Sequence, residues 1–148
     1  MAVVPTLALE RRLLREHALV IACDEVGRGA LAGPVAVGAV AADAAFSRRR
    51  IPQGLRDSKL IVEPRRADVA ERARAWVPAH AVGWASAQEV DDVGIMRALG
   101  LAAVRAIEDL AAQGVDVGAA HVILDGNYDY ITPVAAVARS VQPIVKAD

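Results

Sequence analysis

The chain has 148 residues, enough for one domain with a substantial core. Hydrophobic residues make up 55% of it and the mean hydropathy is positive, which excludes wholesale disorder. Lys and Arg number 17 against 18 Asp and Glu, a formal net charge of −1, so there is no global basic field and any polyanion has to be met by a local patch.

The single Cys23 cannot form an internal disulfide, which fits a reducing compartment, and it reads as a small core residue. The first ten residues lack a basic start and a long apolar core, and no uncharged run reaches the roughly 20 residues that span a bilayer. A soluble, cytoplasmic, monomeric protein with no membrane segment is expected.

In chain order, residues 5–16 predict a short amphipathic helix, with Thr6 as N-cap, Leu7, Leu13 and Leu14 on one face and Arg11, Arg12 and Arg15 in solvent. The apolar run of residues 18–22 is short and partly β-branched, and reads as a buried central strand. Two adjacent carboxylates, Asp24 and Glu25, stand at its end. Ionised side chains rarely sit near a core without a partner, and a hard divalent cation is the simplest one for clustered carboxylates. Neighbours in a regular strand point to opposite faces, so the strand has to twist out or end at Asp24 for Glu25 to join such a cluster. Gly27, Gly29 and Gly33 follow, where a backbone without Cβ can turn sharply or approach a ligand, and Arg28 between them suits phosphate. On these residues alone, phosphodiester chemistry and a plain Gly-rich turn after a salt-bridged Asp-Glu pair stand about even.

Residues 35–42 predict a second strand, antiparallel to the first if the glycine loop is a tight return, and residues 43–54 a loop bearing the Arg48-Arg49-Arg50 run. In the segment Asp57-Ser58-Lys59, a hydroxyl and an ammonium on one turn can hold a phosphate oxygen while Asp57 fixes the turn from behind. A ligand-free capping turn has the same composition. Residues 64–77 predict a helix with Pro64 in its first turn, and residues 79–86 a third strand. Trp76 and Trp84 read as core or rim anchors. Residues 88–92 read as a short acidic turn, with Asp91 and Asp92 as charges favoured near a helix N-terminus.

Residues 95–112 carry the strongest helical signal, with Leu99, Ala103, Ile107 and Leu110 in phase and Gly114 closing the helix. His121 to Leu124 then repeats the opening logic: an apolar strand ends in a carboxylate, Asp125, and turns at once through Gly126. His17, His80 and His121 have no companions at ligand spacing and are read as structural. Residues 141–145 predict a fifth strand, followed by Lys146-Ala147-Asp148.

Asp24 to Gly29, followed by Leu31-Ala32-Gly33-Pro34, resembles the opening motif of type 2 ribonuclease H (ribonuclease HII), Asp-Glu-x-Gly-Arg-Gly before a Leu-Ala-Gly-Pro-like segment. Asp57-Ser58-Lys59, Asp125-Gly126 and Lys146-Ala147-Asp148 match further motifs of that family in the family's order. The resemblance implies an α/β ribonuclease H-like fold, a mixed five-stranded sheet flanked by helices, as one catalytic domain over residues 1–148. It implies Asp24, Glu25, Asp125 and Asp148 as catalytic ligands of one or two Mg²⁺ or Mn²⁺ ions, and Gly27, Arg28, Gly29, Ser58 and Lys59 as contacts to nucleic acid. The implied substrates are RNA–DNA hybrids and duplex DNA with embedded ribonucleotides, cut to 5′-phosphate and 3′-hydroxyl ends. The related type 3 enzymes lack the Gly-Arg-Gly arrangement.

The family continues past residue 148 with an Ala/Ser-rich helix and a ribose-sensing tyrosine, so the resemblance implies a C-terminally incomplete domain. The tyrosine's role is not transferred to Tyr128 or Tyr130. With Asp148 as both ligand and last residue, weak metal binding and poor cleavage are expected, and a catalytically impaired nucleic-acid-binding fragment is the alternative.

Overall fold

The apolar run before the acidic pair forms the middle strand of a five-stranded sheet in the computed structural model, which describes residues 5–135, 138 and 140–145. The motif Lys146-Ala147-Asp148, and with it the fourth acidic position, lies outside the described residues. The strands are β1 (Val20–Val26), β2 (Val35–Ala42), β3 (Ala79–Ala85), β4 (His121–Asp125) and β5 (Ser140–Ile144), in the order β3-β2-β1-β4-β5. β2 runs antiparallel to β1 and β3, as a tight return through the glycine loop requires, while β4 lies parallel to β1 and β5 parallel to β4. The sheet is therefore mixed, as expected. β5 carries Pro143 opposite Leu124, which suits its place at the end of the strand order.

The register divides the side chains between two faces. Ile21, Cys23, Val37, Ala39, Ala81, Val122 and Leu124 share one face and form a single buried cluster with α4 (Ile95–Ala112). That helix has the bounds its periodicity predicted. Its inner stripe buries Leu99, Ile107 and Leu110 completely, each worth about 1.5–3 kcal/mol relative to exposure. Alanines between them let the helix sit close to the strands. At Gly83 of β3 the approach is closest: a Cβ there would collide with the Ala102 carbonyl and lie 2.6 Å from the Ala106 nitrogen.

The opposite face is covered unevenly. At one end Leu7, Ala42 and Phe46 are buried with Trp76 and Val77 packed on them, and the Phe46 and Trp76 ring centroids are 4.6 Å apart. α2 (Glu63–Trp76) lies over β2 and β3 there, with Pro64 in its first turn and a cavity of about 230 Å³ left beneath it. At the other end Val26, Val82 and Trp84 remain exposed. Trp76 is the core anchor of the two tryptophans, and Trp84 is a rim residue.

Two local expectations change. The acidic stretch after β3 is a helix, α3 (Ala87–Val93), because Ser86 and Glu89 form a reciprocal capping box at its start. Asp91 and Asp92 thus lie in its last turn, just ahead of α4. The first helix, α1 (Ala8–Leu13), starts later than expected and has Leu7 at its N-cap with no side-chain cap. Arg11 is not simply solvated, since its Nε donates to the Ser47 carbonyl at 2.8 Å. No helix among the described residues is long and apolar enough to cross a membrane.

Candidate active site

The β1–β4 ladder brings two of the predicted carboxylates together. The last pair of that ladder is Cys23 with Leu124, and Asp24 and Asp125 each follow by one residue; Asp125 ends β4, and Asp24 lies two residues before the end of β1. Both residues therefore lie on the sheet face turned away from α4. Asp24's pKa is pushed up, first by partial desolvation and then by the negative charges of Asp125 and Glu25. A hydrogen bond involving the Glu25 backbone and the Lys59 ammonium work in the other direction. The Lys59 charge is thus near enough to act on Asp24, although more than thirty residues of chain separate them.

That segment is built as its composition suggested. Ser58–Leu60 forms a short 3₁₀ turn, and the Asp57 carboxylate accepts the Lys59 backbone N–H at 2.9 Å. Ser58 and Lys59 stay exposed at the surface.

Glu25 takes a different position from Asp24. β1 does not end at Asp24 but continues to Val26, with Glu25 opposite Val37, so Glu25 projects toward the face that α4 covers. Its largely buried side chain has a carboxylate oxygen 3.5 Å from the Arg28 guanidinium. Among the described residues, no group of three or more His, Cys, Asp and Glu side chains is arranged to hold a metal ion. Asp24 and Asp125 are hard oxygen donors of the kind Mg²⁺ and Mn²⁺ take, and Asp24's pKa is raised by burial and then by the neighbouring negative charges, which a cation would offset.

The glycine loop is specific at one glycine and open at another. Gly27 has φ +97°, and a Cβ there would lie 2.8 Å from the Pro34 carbonyl oxygen. Gly29 has ordinary backbone angles and nothing within 4 Å of an added Cβ, so its backbone is open to solvent. Arg28 also reaches across to the loop after β4, with its guanidinium carbon 5.6 Å from the centre of the Tyr128 ring.

Tyr130 belongs to no sequence motif and lies close to the acidic residues. It is buried, its hydroxyl has no hydrogen-bond partner among the described residues, and its pKa is driven up by burial and by the charges of Cys23, Glu25 and Asp24. Gly100 of α4 makes room for this loop, since a Cβ there would strike the Tyr130 carbonyl. No pattern in the sequence marks Tyr130, because its burial depends on that contact. Cys23 is an inert core thiol, pushed up to about 12 by burial.

The family model for ribonuclease HII matches residues 21–148. The chain belongs to the ribonuclease HII family. Ribonuclease HII of Streptomyces griseus is 46% identical over 97% of this chain and 56% of its own length, and that of Streptomyces avermitilis is 50% identical over 86% and 52%. Ribonuclease HII of Caulobacter vibrioides is 38% identical over 97% of the chain and 61% of its own. The chain thus spans little more than half the length of the ribonucleases HII it matches.

Solved structures agree on the fold. A ribonuclease HIII described as a complex with Mn²⁺ superposes with a TM-score of 0.65 at 22% identity, covering 99% of this chain and 51% of that one. The ribonuclease H2 of Pyrococcus horikoshii gives 0.62 at 19% identity, covering 88% and 64%. The mixed five-stranded sheet with its flanking helices is a ribonuclease H fold.

Proposed function

We propose that this chain carries the acidic centre of a metal-dependent endoribonuclease acting on RNA–DNA hybrids and on ribonucleotides embedded in duplex DNA. The observation that carries the reading is the position of Asp24 and Asp125 one residue beyond the last pair of the parallel β1–β4 ladder, with the Lys59 charge close enough to act on Asp24. Membership of the ribonuclease HII family supports the reaction class.

Asp24 and Asp125 would hold the cation, with Asp148 as a further ligand; Glu25, which lies on the other sheet face against Arg28, would join them only by leaving that partner. One or two Mg²⁺ or Mn²⁺ ions, when bound, supply a lowered pKa for the attacking water and charge stabilisation at the departing 3′ oxygen. Lys59 and Ser58 bind a backbone phosphate near the scissile one. Gly29 offers an unobstructed backbone to the ribose 2′-hydroxyl, the group that marks RNA against DNA. Arg28 holds the loop to Glu25 and meets the adjoining phosphate.

A second reading, binding without turnover, draws support from the turn of Glu25 toward Arg28 and away from the Asp24 face. One experiment separates the two. The chain is incubated with Mg²⁺ or Mn²⁺ and duplex DNA containing one ribonucleotide, and the nick is mapped. Cleavage 5′ to the ribonucleotide, leaving 5′-phosphate and 3′-hydroxyl ends and abolished in Asp24→Asn and Asp125→Asn, supports the nuclease. Binding of the duplex with no nick supports the second reading, and neither binding nor cleavage refutes both.

A further inference from the structure

A cavity of about 430 Å³ opens directly behind the Asp57-Ser58-Lys59 turn, between the loop at residues 53–56 and the start of α2. Three arginines line it, Arg56, Arg65 and Arg72. Arg72 is already committed: its guanidinium donates to the Gln53 carbonyl at 2.9 Å and pairs with Asp68 at 3.0 Å, which ties the loop to the helix. Arg56 and Arg65 have no acidic partner within ion-pair distance among the described residues. Two unpaired arginines thus line one concave space that has no carboxylate in its lining. The cavity also has an apolar lip, since Leu60 and Val62 are largely exposed there over the buried Val69.

This composition suits a phosphate with its sugar attached. Guanidinium groups are planar forks that match phosphate oxygens, and exposed aliphatic side chains can cover the C–H face of a ribose or deoxyribose. The cavity's position narrows the source. Leu60 on the lip follows Lys59 in the same 3₁₀ turn, and the Lys59 charge acts on Asp24. A strand lying over the acidic pair and Lys59 would continue toward the arginines. With a formal net charge of −1, the chain needs such a local basic site to hold a polyanion.

We propose that the Arg56–Arg65 cavity is a second phosphate-binding site that takes a backbone phosphodiester of the bound nucleic acid, beyond the one held at Ser58 and Lys59. The proposal rests on the nucleic-acid reading of the acidic site. A backbone contact positions a duplex without reading its sequence or its sugars. The cavity therefore contributes equally to ribonucleotide-containing and all-DNA duplexes, unlike the glycine loop.

The test measures fluorescence-anisotropy binding of both duplexes across a salt series in metal-free buffer, using the wild-type chain, Arg56→Gln and Arg65→Gln. Both arginines are exposed, and matched melting temperatures check that the fold is kept. Each substitution is expected to weaken both duplexes several-fold and to reduce the slope of log K against log salt by about 0.9, one released counterion contact. Wild-type binding with unchanged affinity and slope in both variants overturns the cavity proposal and leaves the acidic-site reading standing. Losses confined to the ribonucleotide duplex also overturn it, because they indicate sugar sensing. Inorganic phosphate is titrated in parallel while the Arg Nε–H signals are followed by NMR. Phosphate shifts at Arg56 and Arg65 in a chain that binds neither duplex would assign the cavity to a free phosphate, overturning the backbone assignment together with the nucleic-acid reading.

Discussion

Asp24 and Asp125 stand side by side one residue beyond the last pair of the β1–β4 ladder, and each is the carboxylate that ends its strand's apolar run. The arrangement places negative charge where folding alone does not reward it. Asp24's raised pKa means that, without a cation, the folded state resists its ionisation. The sign follows directly. A carboxyl raised above its unfolded value lends stability below that value, and the stability is lost as pH rises through the folded pKa.

Asp24→Asn is therefore expected to raise the melting temperature of the metal-free chain at pH 7, with the difference shrinking as pH falls through the raised folded pKa and gone below the ordinary aspartate value of 3.8. Mg²⁺ or Mn²⁺ should raise the wild-type melting temperature by binding the folded form, and most of that gain should vanish in the variant. An equal metal response in both proteins would place the ions elsewhere. Scanning calorimetry across pH, with and without metal, reads both effects.

The glycines of the loop separate into a structural one and an open one. Gly27→Ala forces a side chain into a left-handed backbone against the Pro34 carbonyl, and should cost about 1–3 kcal/mol of stability. Gly29→Ala meets nothing and should leave the melting temperature unchanged. If its bare backbone meets the 2′-hydroxyl, the same change should weaken ribonucleotide-containing duplex more than plain DNA. Equal losses on the two duplexes would rule out sensing by Gly29.

Arg105 of α4 gathers the end of β3 and the start of α3 into one hydrogen-bonded unit. It donates to the Trp84 carbonyl and to both carboxylate oxygens of Glu89, the latter at 2.6 and 3.1 Å. These bonds, with the capping bonds to Ser86, hold the Glu89 carboxyl down to about 2 from its ordinary 4.5. A lowered carboxyl stabilises the fold above its unfolded value, and that contribution is lost as pH falls through the folded one. Glu89→Gln should thus lower the melting temperature at pH 7 and match wild type near pH 2. A constant difference across that range would mean the charge is not what matters.

Gly83→Ala tests the close approach of α4 to β3. The methyl has backbone, not flexible side chain, in its way, so the helix must move. A loss of roughly 1–3 kcal/mol, or more if α4 cannot shift, is expected from overpacking. Chemical denaturation with an unchanged m-value would confirm that the native state alone is affected.

The parts of the fold carried by local pattern were legible in advance. α4 shows its stripe of Leu99, Ala103, Ile107 and Leu110 within one segment, and β1 and β4 announce themselves by apolar runs ending in carboxylates. The pairing of Asp24 with Asp125 followed once those strands were set parallel. Glu25 was harder, because where β1 stops depends on Val37 and Ala36 of β2 continuing to pair with it past Asp24. Tyr130 was illegible for a similar reason: Gly100, thirty residues earlier, creates its space. α3 did carry its signal, the Ser86-x-x-Glu89 capping box, but within a run whose acidity reads first as a turn.

Pro143 has a consequence for how this sheet behaves in crowded solution. Proline has no amide N–H, so one rung of any ladder built on β5 lacks its donor. A row of unsatisfied strand-edge groups is a template on which a neighbouring copy can add, and the missing rung spoils that template near its middle. Resistance to edge-to-edge aggregation is thus written into the strand beside the Asp125 strand, and Pro143→Val should forfeit it, with light scattering rising at concentrations where the wild-type chain stays clear.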